Sequence, residues 1–339
     1  MSTSYAQFSA TPSVVKPDPF KRVNYTLGML LGVDDLNQQA AYHSGRDQWL
    51  ARDAVGYGTL SGLYVSLDKT DKGPRVSVTS GTALSPRGQL IRVCPAQCAI
   101  INDWVTANEQ EVESAFSSPV ANTIKLYLVL CYRDCPTDKV PIAGEPCRSE
   151  TDLMAPSRLV DDFKLELRTT PPIQLEEDAI RDFVDWMSQI EITDDPGTFT
   201  SLDDFEQALR SAVATVSSPL DPGVIFQMGS PLAGVRIHPA DVCAFMSAAF
   251  RIWVTEIRPL FHSGPPSAGC GCGGAKDGPP PPDECLLLAE LDVPLVNVGP
   301  GQNWQVDDLN DVTLDESRRP ILLHTRMLQE WLLCGPKAK

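Results

Sequence analysis

Between Leu60 and Val93 the apolar residues come in short alternating runs, "LSGLYVSL", "RVSVTSGTAL" and "GQLIRV", each closed by glycine or proline. A period of two over so few residues cannot build a helix with one apolar face, so it commits this part of the chain to antiparallel strands. The connector "SPRGQ", with Pro86 and Gly88, suits a hairpin. Upstream, "GVDDLNQQAAYHSGRDQWLARDAVGYG" predicts a helix from Asp34 and Asp35, both capping candidates, to about Ala54 despite Gly45. A second helix is expected from Asn102 or Asp103 to about Phe116. "NTIKLYLVLCYRD" reads as the most apolar, central strand, "PTDKVPIAGEPCRSETDLMAPSR" as a long proline-punctuated loop, and "LVDDFKLELR" as a further strand.

The period then changes. Residues 176–190, 202–217 and 239–258 read as helices, the third apolar around much of its circumference and therefore expected to be buried. Next, "SGPPSAGCGCGGAKDGPPPPDE" has the composition of a linker, and "CLLLAELDVPL" resumes as a strand. The pentapeptide "VDDLN" occurs at Val33–Asn37 and Val306–Asn310, and both copies are expected to begin helices. The expected fold class is α+β: small antiparallel sheets with packed helices, an extended N-terminal arm and a Gly/Pro-rich loop. The expected divisions are an arm over residues 1–20, an α+β domain over 21–170, a helical region over 171–262, the loop over 263–284, and a C-terminal strand and docking helix over 285–339. The arm, rich in Ser, Thr and Pro, is expected to order only against neighbours.

Charge narrows the classes of partner. Lys and Arg total 28 against 44 Asp and Glu, a formal net charge of -16. Duplex affinity rests on basic charge releasing counterions, so no nucleic-acid partner is expected. Eleven carboxylates against one base, Arg181, lie between Glu176 and Glu206. The opening residues lack the basic and apolar regions of a secretory peptide, and no run reaches the roughly 18 apolar residues of a membrane span, so a cytoplasmic location is expected. The 10 cysteines are too dilute for a disulfide scaffold, and a reducing compartment is assumed. Cys131, Cys135 and Cys147 form one group and Cys270, Cys272 and Cys285 another. Neither has paired finger-like spacing, so a free, packed Cys131 is preferred over a structural metal, which zinc analysis would decide.

The closing stretch "DESRRPILLHTRMLQEWLL" predicts a helix from about Pro320 to Cys334, with Asp315 and Ser317 as capping candidates and Gly335–Pro336 as the stop. Ile321, Leu328 and Trp331 or Leu332 fall near one face, and Leu322, Thr325 and Leu333 near another. Two apolar faces favour packing into a core or between subunits over lying on a membrane. Arg318 and Arg319 are expected to meet carboxylates, either of the same chain or of a neighbour. The contact residues nominated here are Arg318, Arg319, Leu328, Trp331 and Leu332.

No phosphate loop, zinc-protease motif or nucleophile elbow occurs. The four histidines, His43, His238, His262 and His324, sit in or beside helical patterns, where a structural role is the commoner one. Asp161–Asp162 and Asp203–Asp204 are adjacent, which alone makes no acid/base pair. No catalytic residue, cofactor or small-molecule substrate is expected.

The stretch "RVNYTLGMLLGVDDLNQQAAYHSGRDQWLARDAVGYGTLSGLYVSL", followed by "VSVTSGTALSPRGQLIRV", resembles a module of phage-tail and contractile-injection-system proteins. There a helix with a DDxN start leads to "GLxV" and "VxxGxAL…G" strands. "YLVLCYRDCPTDKVPIAGEPCRSETDLMAPSRLVDDFKLEL" and the closing stretch also resemble segments of such proteins, giving similarity over about two thirds of the chain. The resemblance implies a structural component at the baseplate or a peripheral extension. Its partners would be other particle subunits and copies of itself, with membrane contact only through the particle. The alternative is a tail-fibre-like adhesin binding surface carbohydrate. Only 6 Trp and 7 Tyr are present, with no cluster that would stack sugars.

Overall fold

The computed structural model describes residues 17–114, 116, 121–141, 154–214, 232, 234–261, 285–299, 304–306, 308 and 311–334. The Gly/Pro-rich loop and most of the N-terminal arm lie outside the described residues. The fold is α+β.

Helix α1 spans Val33–Leu50 and passes through a wide turn, Ala51–Val55, that ends at Gly56. Gly32 caps it, with the Asp35 carboxylate accepting from the Gly32 amide at 2.9 Å. The end of the arm is fastened along this helix. Asp18 N donates to Gln38 Oε1 at 2.9 Å, Phe20 lies 4.4 Å from the Trp49 ring, and Pro19 sits where a Cβ on Gly45 would be, 2.7 Å away. Gly45 is thus a point of close approach, which is why a glycine interrupts no helix here.

The alternating runs divide more finely than their spacing suggests. Strands β1 (Gly58–Gly62), β2 (Val65–Thr70), β3 (Gly73–Val78), β4 (Gly81–Leu84), β5 (Leu90–Val93) and β6 (Gln97–Ile100) form two three-stranded antiparallel sheets. Their orders are β1-β4-β5 and β2-β3-β6. "LSGLYVSL" therefore belongs to both sheets, and the chain crosses between them at Leu63, which has φ 57°. The β4–β5 turn is the expected one: Gly88 N donates to Ser85 O at 2.8 Å, with Gly88 at φ +82°.

Helices α2 (Ile101–Ala107) and α3 (Glu109–Ser114) lead to a third antiparallel sheet. It contains β7 (Ala121–Pro141), β8 (Met154–Arg168), β11 (Cys285–Asn297), β12 (Trp304–Val306) and β13 (Thr313–Asp315), in the order β12-β11-β7-β8 with β13 also on β11. β9 (Glu191–Ile192) and β10 (Arg236–Ile237) make a short parallel pair elsewhere. Leu126, Leu128 and Leu130 of β7 and Leu286, Leu288 and Leu291 of β11 pack against Val65, Val76, Ile91 and Ile101 in one core. α4 (Leu175–Ser188), α5 (Leu202–Ala214) and α6 (Val242–Ile252) enclose another, centred on Phe183, Trp186, Phe205, Leu209 and Phe245. α6 continues through a wide turn, Trp253–Ile257, into α7 (Arg258–Phe261). Phe250 of α6 and Val254 of its continuation stay exposed, so this stretch is buried on one side rather than all round.

Four expectations need correction. The loop expected after Asp134 is instead strand as far as Pro141, and strand resumes at Met154 in register with it. Among the described residues β7 pairs with β11 up to Cys131 and with β8 alone beyond it. Neither Asn102 nor Asp103 caps α2, whose N-cap is Ile100. The Asn102 side chain joins the β2–β3 turn to β12 instead, donating to Lys72 O and accepting from Val306 N, both at 3.0 Å. The second "VDDLN" starts no helix at Val306, which is the last residue of β12, while Asp307, Leu309 and Asn310 lie outside the described residues. The closing helix, α8, runs Thr325–Cys334 and begins five residues later than expected. Pro320 and Ile321 are held in extended contact with β1, through Thr59, before it starts. Among the described residues no helix is long and apolar enough to cross a membrane.

Candidate functional site

The strap that follows β13 joins three parts of the molecule. Asp315 begins it as a tight turn: its carboxylate accepts from the Ser317 amide at 2.8 Å and from the Ser317 hydroxyl at 3.0 Å. These bonds hold the Asp315 carboxyl below its usual range. The turn sends Arg318 and Arg319 in different directions.

Arg318 lies between the large sheet and α4. Its Nη1 donates to Glu290 Oε1 at 3.0 Å, and its Nη2 to both oxygens of Asp178 at 3.1 Å. Asp178 and Glu290 are buried. Burial pushes the Asp178 carboxyl up, and Arg318 pulls it partly back. For Arg318 burial works downward, yet the two carboxylates outweigh it and hold the guanidinium above its ordinary value. Arg319, 9% exposed, turns the other way. Its Nε donates to Thr59 Oγ1 at 3.0 Å and its Nη2 to Leu63 O at 2.9 Å, while Nη1 meets Glu316.

The strap's own backbone is equally engaged. Arg181 Nη2 donates to Arg319 O at 3.1 Å, and Arg181 also reaches Ser317 O and Glu177. Thr59 N donates to Pro320 O and Leu322 N to Thr59 O, each at 2.9 Å. Gly58 makes this approach possible, since a Cβ there would stand 2.9 Å from the Pro320 carbonyl, at φ +147°. Gln174 completes the junction: its Oε1 accepts from Leu287 N at 3.3 Å. Beside it, burial pushes the Tyr57 hydroxyl well up, reinforced by Glu177, Glu176 and Asp178.

Of the five nominated contact residues, the structure brings Arg318 and Arg319 together, both in pairs within this chain. Leu328 is apart from them and 38% exposed on α8. Among the described residues it belongs to none of the buried clusters. The side chains of Trp331 and Leu332 lie outside the described residues. Sequence reasoning missed Thr59, Gln174, Asp178, Arg181 and Glu290, which carry no local motif; only the acidic run around Glu176 hinted at a cationic counterpart.

The histidines that are described serve local structure. His238 Nδ1 accepts from Ala240 N and His324 Nδ1 from Arg326 N, each at 3.1 Å, and His43 lies beside Gln39. His262 lies outside the described residues. Among the described residues no group of three or more His, Cys, Asp or Glu is arranged to hold a metal ion. Cys147, Cys270 and Cys272 are not among them.

Cys131 corrects the expectation of a free thiol. It is disulfide-bonded to Cys285, its direct partner across β7 and β11, with S–S 2.11 Å. The pairing across 154 residues puts one cysteine from each sequence group side by side, which spacing alone cannot reveal. Arg168 Nη2 lies 2.9 Å from Cys285 Sγ.

A second surface has the opposite character. From Tyr25 to Leu36, seven large apolar residues (Tyr25, Leu27, Met29, Leu30, Leu31, Val33 and Leu36) are exposed, with Leu27 at 108% and Leu30 at 93%.

No protein-family model and no curated protein sequence matches this chain. Among solved structures, it is similar to the crystal structure of TssK at 15% identity and a TM-score of 0.22, covering 73% of this chain and 64% of that one. A chain of the baseplate complex from the type VI secretion system is similar at 13% identity and a TM-score of 0.23, covering 72% of this chain and 92% of that one. The chain thus spans 64% of the length of TssK, and both likenesses are weak.

Proposed function

We propose that this chain is a structural subunit of a phage-tail-like contractile injection particle, placed at the baseplate or a peripheral extension, and that it acts by protein–protein assembly without catalysis. The observation that carries this reading is the exposed apolar run Tyr25–Leu36. It belongs to the same segment whose motifs resemble injection-system modules. A second support is the β7–β8 ribbon beyond Tyr132, where Val140, Met154, Leu159 and Val160 are exposed. Among the described residues only β7 and β8 pair in this part of the ribbon, and a two-stranded ribbon is marginal in water, so on this reading a neighbouring subunit completes it.

On this reading His43, His238, His262 and His324 have structural roles, and alanine in place of each affects stability or assembly at most. The experiment is co-sedimentation of the tagged chain with purified particles, with imaging of where the tag sits. Recovery in the particle fraction at one end is the expected result. A chain that stays out of particles and binds glycans on an array would overturn the reading in favour of the adhesin.

A further inference from the structure

The outer face of the β2-β3-β6 sheet carries an open cleft of about 770 Å³ that the assembly reading does not use. That volume falls within the range of small-molecule sites. Strand register builds its floor. Arg75 stands opposite Asp68 on β2 and Ile100 on β6, and Ser77 opposite Cys98, so these side chains share the face away from the buried Val76 and Val78. Asp71 and Lys72 of the β2–β3 turn line one side of the cleft, and Asp103 and Trp104 of α2 another. Backbone and amide contacts fix both sides without using the charged groups. Thr70 Oγ1 donates to Gly73 O at 2.8 Å, and Asn102 Nδ2 to Lys72 O at 3.0 Å. Gly73, at φ +110°, leaves room for that amide, with which a Cβ would collide. Trp104 Nε1 donates to Leu167 O at 3.1 Å, which anchors the indole. Among the described residues the Asp71, Lys72 and Asp103 side chains make no hydrogen bond or ion pair. Arg75 is half committed: Nη2 donates to Asp68 Oδ2 at 3.3 Å, while Nε is buried with no acceptor. A buried donor left without an acceptor is costly, and an oxygen of a ligand would relieve it.

We propose that this cleft binds a neutral pyranose sugar, a function that goes beyond the assembly role and does not depend on it. Charge decides the class of ligand. Asp68, Asp71 and Asp103 outnumber Lys72 and Arg75 here, so a carboxylate or phosphate is disfavoured, while a cation would meet the two bases. A hydroxyl group suits both kinds of side chain. Its oxygen accepts from Arg75 Nε or the Lys72 ammonium, and its proton goes to the Asp71 or Asp103 carboxylate. A sugar ring carries such hydroxyls around its edge and C–H groups on its faces. Trp104 and Ile100, both lining the cleft, supply apolar surface for one such face. One indole serves one ring, so no cluster of aromatics is needed. Because the turn and the indole are already held by their own hydrogen bonds, binding orders little.

Saturation-transfer NMR on the purified full chain tests this without any particle. The probes are the methyl glycosides of glucose, galactose, mannose and N-acetylglucosamine, with inorganic phosphate and free glycine as competitors. At least one glycoside should show saturable transfer to its ring protons. Lys72→Ala and Asp103→Ala, exposed residues on the two sides of the cleft, should each weaken binding about fivefold, the worth of an ordinary hydrogen bond. Their circular dichroism spectra should match the wild type. Arg92→Ala, exposed but outside the cleft, should bind as the wild type does. No transfer to any of the four glycosides would overturn the proposal, as would transfer indifferent to both Lys72→Ala and Asp103→Ala. Displacement by phosphate or by glycine would overturn it in favour of an anion or a zwitterion. Sugar binding by a chain that stays out of particles would uphold this site and remove the assembly role, so the two readings fail separately.

Discussion

The strap Asp315–Leu322 and the run Tyr25–Leu36 reverse the usual distribution of residue types. In the strap two arginines are turned inward and paired, Arg318 with Asp178 and Glu290, and Arg319 with Thr59 and Leu63. In the run seven large apolar side chains face outward. Taking charges out of water is costly unless each finds a geometrically good partner, so the strap is committed to this chain's own interior. Apolar surface left in water has the opposite meaning, because covering it gains about 25 cal/mol per Å². The first region is tied into the chain's own interior; on the proposed reading the second awaits a neighbour.

The difference can be broken most severely at Arg318. Arg318→Ala leaves Asp178 buried without the arginine that pairs with it and Glu290 with Lys125 alone, at 3.3 Å, and loss of one partner from a buried pair typically costs about 3–5 kcal/mol. Denaturant unfolding of the purified chain should show a loss of that size. A loss below about 1 kcal/mol would mean that the junction is wetter and weaker than its geometry indicates. Cys131→Ser with Cys285→Ser comes next. Removing a native disulfide that closes so long a loop should cost about 2–4 kcal/mol, and a thiol reductant should bring the wild type to the same midpoint.

Gly58→Ala sharpens the account of the strap. A side chain at that positive φ, against the Pro320 carbonyl, should cost about 1–3 kcal/mol. Val55, nearby but 58% exposed, should tolerate alanine within about 0.5 kcal/mol. Thermal melts of the two variants would separate them.

Acid separates the junction from the outer sheet. Burial raises the Asp178 carboxyl in the folded chain, so there it binds a proton at pH values where the unfolded chain has already lost it. Its contribution therefore becomes more favourable as pH falls from neutral toward about 3.9, the value of a free aspartate. Glu166 behaves in the opposite sense. Lys164 foremost, with Arg168, holds it low against the opposing effect of burial. The stability it contributes is present above the unfolded value, about 4.3, and is lost as pH falls through the lower folded value. Urea midpoints across this range should show wild type gaining on Asp178→Asn, and losing ground to Glu166→Gln, as pH drops. Flat difference curves would contradict both directions.

The smallest effect on stability is expected on the run itself. Leu30→Gln should change the unfolding free energy of the isolated chain by no more than about 0.5 kcal/mol, since Leu30 is 93% exposed. Its consequence should appear in assembly alone, measured as loss from the particle fraction.

These contrasts also mark how far the sequence reaches. Period-two runs and Gly/Pro turns made the antiparallel strands legible, and a helical period announced α4, α5 and α6, because local patterning governs both. The split of "LSGLYVSL" between two sheets depends on one residue, Leu63, entering the left-handed region, which no local rule demands of a leucine. Arg318 and Arg319 were legible as charges seeking carboxylates, but their partners lie up to 260 residues away. Pro320 looked like the first turn of a helix until Thr59 claimed its carbonyl as part of β1's edge. The disulfide was hidden for the same reason: Cys131 and Cys285 meet only through strand register.

The most direct measurement is amide hydrogen exchange on the isolated chain and on the assembled particle. The account predicts that the amides of Thr59, Arg319 and Leu322, all hydrogen-bonded within the chain, are protected in both states. It predicts that the amides from Leu27 to Leu31 exchange fast in the isolated chain and slow down only on assembly. Rapid exchange through the strap in the isolated chain, or an unchanged Leu27–Leu31 in the particle, would contradict it.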